Sequence, residues 1–317
     1  MIASKRRRVS LSACTRAMLA QWTRSKVSFA EASGRYVIND KNLRAASHAF
    51  SIVASLALFI MPLPGQAAIG LEDGGSKPSA APQLRGSYSP PSESGGALAG
   101  VSFTGQPVGT HFVSRFSECD AHDTCNGKAL NYKCSTDRNE NTVLLRLKNG
   151  VVFFDGKLGV DADGSPYAKT HQDNVNQDQT SLRYPLKGDP SVNADRVPFV
   201  VIPLGGFGKE LGVEPGDVAV VVWKSKRVFA VVGDEGPPCK IGEGSIALHE
   251  ALGHSVCRHR SSAGDCQELR DASIENNVLY FIFPHTKAQL YPGLTPDNVG
   301  ARIESIGTKA WTAFIGQ

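Results

Sequence analysis

The sequence predicts a mainly β protein: a closed or partly closed barrel with one or two short helices. Three observations predict it. Several short apolar runs rich in Val, Ile and Phe are separated by Gly-, Pro- and Asn-containing turns. The chain is glycine- and proline-rich, with 32 Gly and 18 Pro in 317 residues. Only two stretches carry helix start and stop signals.

The elements follow in order. Val143–Lys148 and Val151–Asp155 flank Asn149-Gly150, a two-residue hairpin turn in which both residues tolerate positive φ. Val197–Pro203 reads as a buried strand. Asp217–Trp223 follows the turn Glu214-Pro215-Gly216, and Arg227–Gly233 follows Lys224-Ser225-Lys226, giving a second hairpin. Val278–Pro284 completes the set. Ser245–Leu252 is expected to be a short helix, capped by the Ser245 side chain and ended by Gly253. A second helix is expected from Thr295-Pro296 to about Ile306.

Ahead of the barrel lies a leader. Residues Ser51–Leu63 form an uncharged apolar run, too short to span a bilayer as a helix, which needs about 20 residues. Arg44 precedes it and Pro64-Gly65-Gln66-Ala67-Ala68 follows, the pattern of a secretory signal peptide. Residues 1–68 are therefore assigned to the leader, 69–100 to a flexible tether rich in Gly, Ser and Pro, and 101–317 to the barrel domain. The expected product is secreted or periplasmic, free of the membrane after signal cleavage, and monomeric.

Charge and cysteine usage fit export. Of 34 basic and 30 acidic residues, the first 68 positions hold ten basic and two acidic, leaving 24 basic and 28 acidic in the rest. A mildly acidic body argues against nucleic-acid binding, which needs a basic face. Beyond Cys14, six cysteines remain: 119, 125, 134, 239, 257 and 266. An even number in an exported chain suggests disulfides, with Cys257–Cys266 the first expected pair. Cys119-x₂-His122-x₂-Cys125 with Cys134 is a set that could instead hold zinc, although the spacing is irregular.

The chemistry concentrates in Arg227–Gly253. An apolar strand ends in Gly233-Asp234-Glu235-Gly236-Pro237, and Gly242-Glu243-Gly244-Ser245 opens a helix. Asp234 and Glu243, nine residues apart, can face one groove across a glycine-rich loop. Glycoside hydrolysis needs such a pair, one acid to protonate the leaving oxygen and one base to activate water. Asp161 and Asp163, in Gly159-Val160-Asp161-Ala162-Asp163-Gly164, are read as support for that groove together with Glu235. An EF-hand does not fit, because Ser165 and Gln172 fill its fifth and twelfth positions. His249-Glu250-Ala251-Leu252-Gly253-His254 mimics a zincin motif, but its histidines are five apart rather than four. No metal or cofactor is expected.

A strand running into Asp-x-Gly-Pro and then a short Ser-led helix resembles the double-psi β-barrel, here with six strands. The segments VFFDGKLGVDADGSP, ADRVPFVVIP, GVEPGDVAVVV, FAVVGDEGP and IGEGSIAL, in order, resemble glycoside hydrolase family 75, the fungal-type chitosanases, as a secreted bacterial-type member. The resemblance covers about residues 130–285. It implies endo-hydrolysis of β-1,4-linked glucosamine polymer with inversion, chitosan as partner, Asp234 and Glu243 as the essential acids, and Asp161 and Asp163 in an Asp-rich segment. Gly159 departs from it, standing where another Asp is common. Within the pair, Glu243 is expected to be the general acid, shielded at a strand-to-helix corner, and Asp234 the base in a wet turn. The alternative is a non-catalytic barrel that binds wall or matrix polysaccharide.

Overall fold

The computed structural model describes residues 86–134, 143–171, 176–270 and 273–316. The apolar run 51–63, the signal peptide, Cys14 and the first part of the tether lie outside these residues. No helix among the described residues is long and apolar enough to cross a membrane.

The chain runs β1 (Gln106–Pro107), α1 (Thr110–His122), β2 (Thr124–Cys125), β3 (Lys128–Ala129), β4 (Leu144–Arg146), β5 (Val152–Asp161), α2 (Pro166–Thr170), β6 (Phe199–Pro203) and α3 (Phe207–Leu211). It continues through β7 (Val218–Trp223), β8 (Lys226–Gly236), β9 (Glu243–Ser245), α4 (Ile246–Ala251), β10 (Cys257–Arg260), β11 (Cys266–Leu269), β12 (Ile274–Phe283), α5 (Lys287–Leu290) and α6 (Val299–Ile315). Strand order β5-β12-β7-β8-β6-β9, with β9 pairing back onto β5, closes a six-stranded barrel. Two pairings are parallel, β6 with β8 and β5 with β9; the other four are antiparallel.

Both faces of this sheet are buried, which is why the strands read as continuous apolar runs rather than as alternating ones. Val152, Phe154, Val200, Ile202, Ala219, Val221, Ala230, Val232, Tyr280 and Ile282 fill the barrel. The residues that alternate with them along each strand face outward and are covered. Phe199, Val201, Val218 and Val231 pack under Leu290, Val299 and Ile303. Leu145, Phe153, Val220, Leu279 and Phe281 pack under Trp311 and Phe314.

The first hairpin turns at Lys148–Gly150, with Asn149 at φ 59° and Gly150 at φ 77°, as its sequence requires. Ser245 caps α4 by accepting a bond from Leu248 N at 3.1 Å, and Gly253 follows the helix at φ 86°. The last helix differs from expectation. Thr295-Pro296 only leads into it, and the apolar stripe carries it on to Ile315, where Trp311 and Phe314 gain burial.

The tether is shorter than its composition suggests. Ser92–Leu98 forms a 3₁₀ turn whose Ala97 and Leu98 are buried against the barrel. Tyr88 packs its ring on Phe153 with 5.1 Å between centroids, and Gly105 N bonds Gly86 O at 2.9 Å. Three apolar anchors among small polar residues suffice to dock this segment.

Cys257–Cys266 forms as expected. Cys119 bonds Cys134 and Cys125 bonds Cys239, so the three cysteines of the candidate zinc set with His122 are in disulfides instead.

Candidate active site

The placement of Asp234 beside Glu243 is set by one irregularity. Along β6 and β8, Val200 pairs with Val232, but Val201 pairs with Asp234, so Gly233 is an extra residue in a parallel ladder. Alternation from Ala230 and Val232 would send Asp234 into the barrel. The bulge reverses this and turns it to the outer face, beside Val201. Gly233 is required there, because a Cβ would stand 2.5 Å from Phe199 Cβ and Cγ.

On the other edge of β6, the same Val201 pairs with Glu243. Asp234 and Glu243 thus flank one strand at one level. Two strand spacings put their Cα atoms about 10 Å apart. Glu243 leans toward β8, since a Cβ built on Gly236 would lie 3.1 Å from Glu243 Oε2. Beyond β9, Asp161 pairs with Ser245 at the end of β5.

Asp161, Asp163 and Asp234 place carboxylate oxygens within 4.8 Å of one another. Each has an oxygen held by donors from the chain. Asp161 Oδ1 accepts from Asp163 N at 2.7 Å, and Asp163 Oδ1 from Gln177 N at 2.7 Å. Asp234 Oδ1 accepts from Ser181 N (2.9 Å), Ser181 Oγ (2.6 Å) and Glu235 N (2.7 Å). Three clustered carboxylates can share a proton or hold a cation.

Burial raises the Asp234 carboxyl above its ordinary range; the Ser181 and Glu235 donors oppose this and the Glu243 charge adds to it. Asp161 is pushed well above its range by burial first, then by the charges of Asp234, Asp163 and Glu243. Glu243 forms an ion pair with Lys240, Nζ to Oε1 2.9 Å.

These facts overturn the basis on which the acid and base were assigned from sequence. Asp234 is not in a wet turn: it is only 6% exposed. Glu243 is shielded as expected, but by a lysine that holds it as an ion pair. Glu235 also departs from expectation. Its backbone N–H serves Asp234, while its side chain is exposed and lines a different cleft with Pro203, Leu204, Lys209, Glu214 and His285. Ser181 and Lys240 belong to the site and were not read from the sequence, since both lie in polar loops without periodic pattern. Of the two histidines of the zincin-like motif, His249 lies in α4, while His254 follows Gly253 outside the helix and packs its ring 5.5 Å from that of His249. His249 is buried, donates from Nε2 to Gly159 O at 3.1 Å, and burial lowers its pKa to about 4.

A pair of acids flanking a strand, with further carboxylates beside them on the covered face of a barrel, is the kind of site a glycoside hydrolase uses. Residues 158–309, which hold all of these groups, match the family model described as fungal chitosanase of glycosyl hydrolase group 75. Over these residues, just under half of the chain, the protein is similar to the chitosanase-type glycoside hydrolases. No curated protein sequence matches the chain. Among solved structures, Streptomyces papain inhibitor (SPI) is similar at 16% identity over 41% of this chain and 94% of that one, with a TM-score of 0.23.

Proposed function

We propose that this protein is a secreted endo-hydrolase that cleaves the β-1,4 bonds of chitosan with inversion. The observation that carries the reading is the placement of Asp234 and Glu243 on either side of Val201. Carboxyls that invert lie roughly 6.5–9.5 Å apart, with room for a water between. Backbones about 10 Å apart with inclined side chains suit that span.

The local electrostatics support one order of roles. Within the proposed pair, Asp234 is the one whose surroundings favour the proton, so it protonates the glycosidic oxygen as the C1–O bond breaks. Glu243, ionised in its pair with Lys240, takes a proton from the water whose oxygen bonds to C1 from the opposite face. Asp163, beside the protonation-prone Asp161 and Asp234, is the carboxylate of the cluster that adds negative field, which would attract the protonated amines of glucosamine units over neutral chitin.

The test is reducing-end release from chitosans of graded acetylation, with chitin, carboxymethyl cellulose and peptidoglycan as controls. Asp234→Asn and Glu243→Gln should each lower kcat by several orders of magnitude while leaving chitosan binding intact. A substrate whose leaving group needs no protonation should rescue Asp234→Asn only; rescue of Glu243→Gln alone would reverse the roles. NMR of the first product should show the α-anomer. Binding without turnover in the wild type would favour the polysaccharide-binding alternative.

A further inference from the structure

The loop Pro237–Gly242 joins the strand that carries Asp234 to the strand that carries Glu243. Its two central residues have separate attachments. Cys239 is fully buried and bonded to Cys125. Lys240, the next residue, reaches Glu243 Oε1. Its backbone N–H closes the turn onto Pro237 O at 3.2 Å.

Cys125 belongs to the β2–β3 hairpin, and that hairpin is anchored. Glu118 of α1 accepts from Thr124 Oγ1 (2.7 Å), Asn126 N (2.9 Å) and Gly127 N (2.7 Å). Immediately after Glu118 in the same helix, Cys119 bonds Cys134, and Asp120 forms a fully buried ion pair with Lys157 of β5. The other end of the loop returns to β5 as well, with Gly159 N donating to Gly242 O at 2.8 Å. The loop is therefore tied to the strand that carries Asp161 at its end through Gly242, and at its centre through the hairpin and α1.

We infer that Lys240 is a positioning residue for Glu243, and that the β2–β3 hairpin acts through the Cys125–Cys239 bond to hold Lys240 in place. The inference rests on the reading of Glu243 as a catalytic carboxylate. A lysine stem has many rotamers, and an ion pair between long side chains holds one geometry only where the backbone beneath is fixed. Here the residue before Lys240 is covalently tied to a hairpin that α1 anchors. With Oε1 on Lys240, the Glu243 carboxylate presents Oε2 toward β8 and Asp234. Releasing the loop frees this rotation, which costs turnover rather than binding.

The test compares Lys240→Met, Lys240→Arg and the Cys125→Ser/Cys239→Ser pair by kcat and KM on chitosan, with near-UV circular dichroism to verify folding. Lys240→Met should lower kcat about 10–100-fold with KM near wild type, the signature of a loss confined to the transition state. Lys240→Arg should recover most of this. The cysteine pair should lose kcat similarly, and adding Lys240→Met to it should cost little more, because both act through one contact. Unchanged kcat in Lys240→Met overturns the inference, as does a KM effect alone. Fully multiplicative losses overturn the part played by the disulfide. If the cysteine variant does not fold, the Met and Arg variants decide the role of Lys240. An inactive wild type would refute the proposed function instead. The inference is then read from the Lys240 ammonium NMR signal, protected from exchange in wild type and lost in the cysteine variant; an unprotected wild-type signal overturns it.

Discussion

Replacing Gly233 by alanine tests how the fold aims Asp234, the proposed general acid. The added Cβ would stand 2.5 Å from both Cβ and Cγ of Phe199 and 3.0 Å from Cδ1. Carbon atoms rest at about 3.5–4.0 Å, so the two residues must part by about 1 Å. Phe199 cannot swing away. It is fully buried, and its backbone N–H donates to Ser245 Oγ at 3.0 Å. Overpacking of this kind costs about 1–3 kcal/mol. The displacement falls on the bulge, whose Gly233 carbonyl accepts from Leu182 N at 2.9 Å and whose next residue is Asp234. A misplacement of about 1 Å at a reacting group costs roughly 100-fold in rate. Urea denaturation and kcat on chitosan measure the two effects separately. Gly300→Ala is the control: its Cβ meets nothing within 4 Å on α6, and removing a helical glycine should stabilise by about 0.5–1 kcal/mol. A Gly233→Ala protein with wild-type midpoint and kcat would refute the steric argument. Lost stability with intact kcat would refute the claim that the bulge aims Asp234.

Three further expectations are independent of that one. Lys157→Met leaves Asp120 charged and buried and should cost about 3–5 kcal/mol by thermal or urea denaturation, with Asp120→Leu in the same chain restoring most of it; a double variant as unstable as the single would disprove the pairing argument. Burial pushes the Asp155 carboxyl up to about 6, so the folded chain holds a proton there that the unfolded chain has released. Its contribution is present below about pH 4 and is lost as pH rises to about 6, a change of about 3 kcal/mol; Asp155→Asn should flatten that part of the stability–pH curve, and an unchanged slope would refute it. Chitosan KM should rise with salt as the Debye length shrinks from about 10 Å at 0.1 M to about 3 Å at 1 M, and a salt-independent KM would remove charge attraction from the account.

The barrel was legible in the sequence because strands buried on both faces leave unbroken apolar runs, and Val218–Trp223 and Val278–Phe283 show nothing else. Helix α1 was passed over. Its inward residues Phe112, Val113, Phe116, Cys119 and Asp120 keep a helical spacing, but an aspartate on the buried face masks the stripe. That aspartate is buried only because Lys157 meets it from a strand 37 residues away, and a local pattern cannot show this. The same limit applies at the site. Asp234 and Glu243 stood out through their glycine setting and their resemblance to known chitosanases. Ser181 reaches Asp234 from 53 residues away, out of a loop with no periodicity. The direction in which Asp234 points depended on a bulge that alternation along β8 alone would have read the wrong way. Of the disulfides, Cys257–Cys266 was readable because nine residues separate its ends, whereas Cys125 and Cys239 are 114 apart.

The strand that shuts the barrel is three residues long, and its first residue is Glu243. It must find β5 on one side in parallel and β6 on the other in antiparallel, pairings that span more than 80 and more than 40 residues of chain. Contacts of such long range are the slow ones to form, because loop entropy is lost before they contribute. Folding and competence are therefore one event for this chain. A refolding experiment should show tryptophan burial and strand signal rising before any hydrolysis, and hydrolysis appearing in the last phase. On the proposed reading, a form in which β9 has not yet docked lacks Glu243 beside Asp234. The site is assembled by the act of closing the barrel.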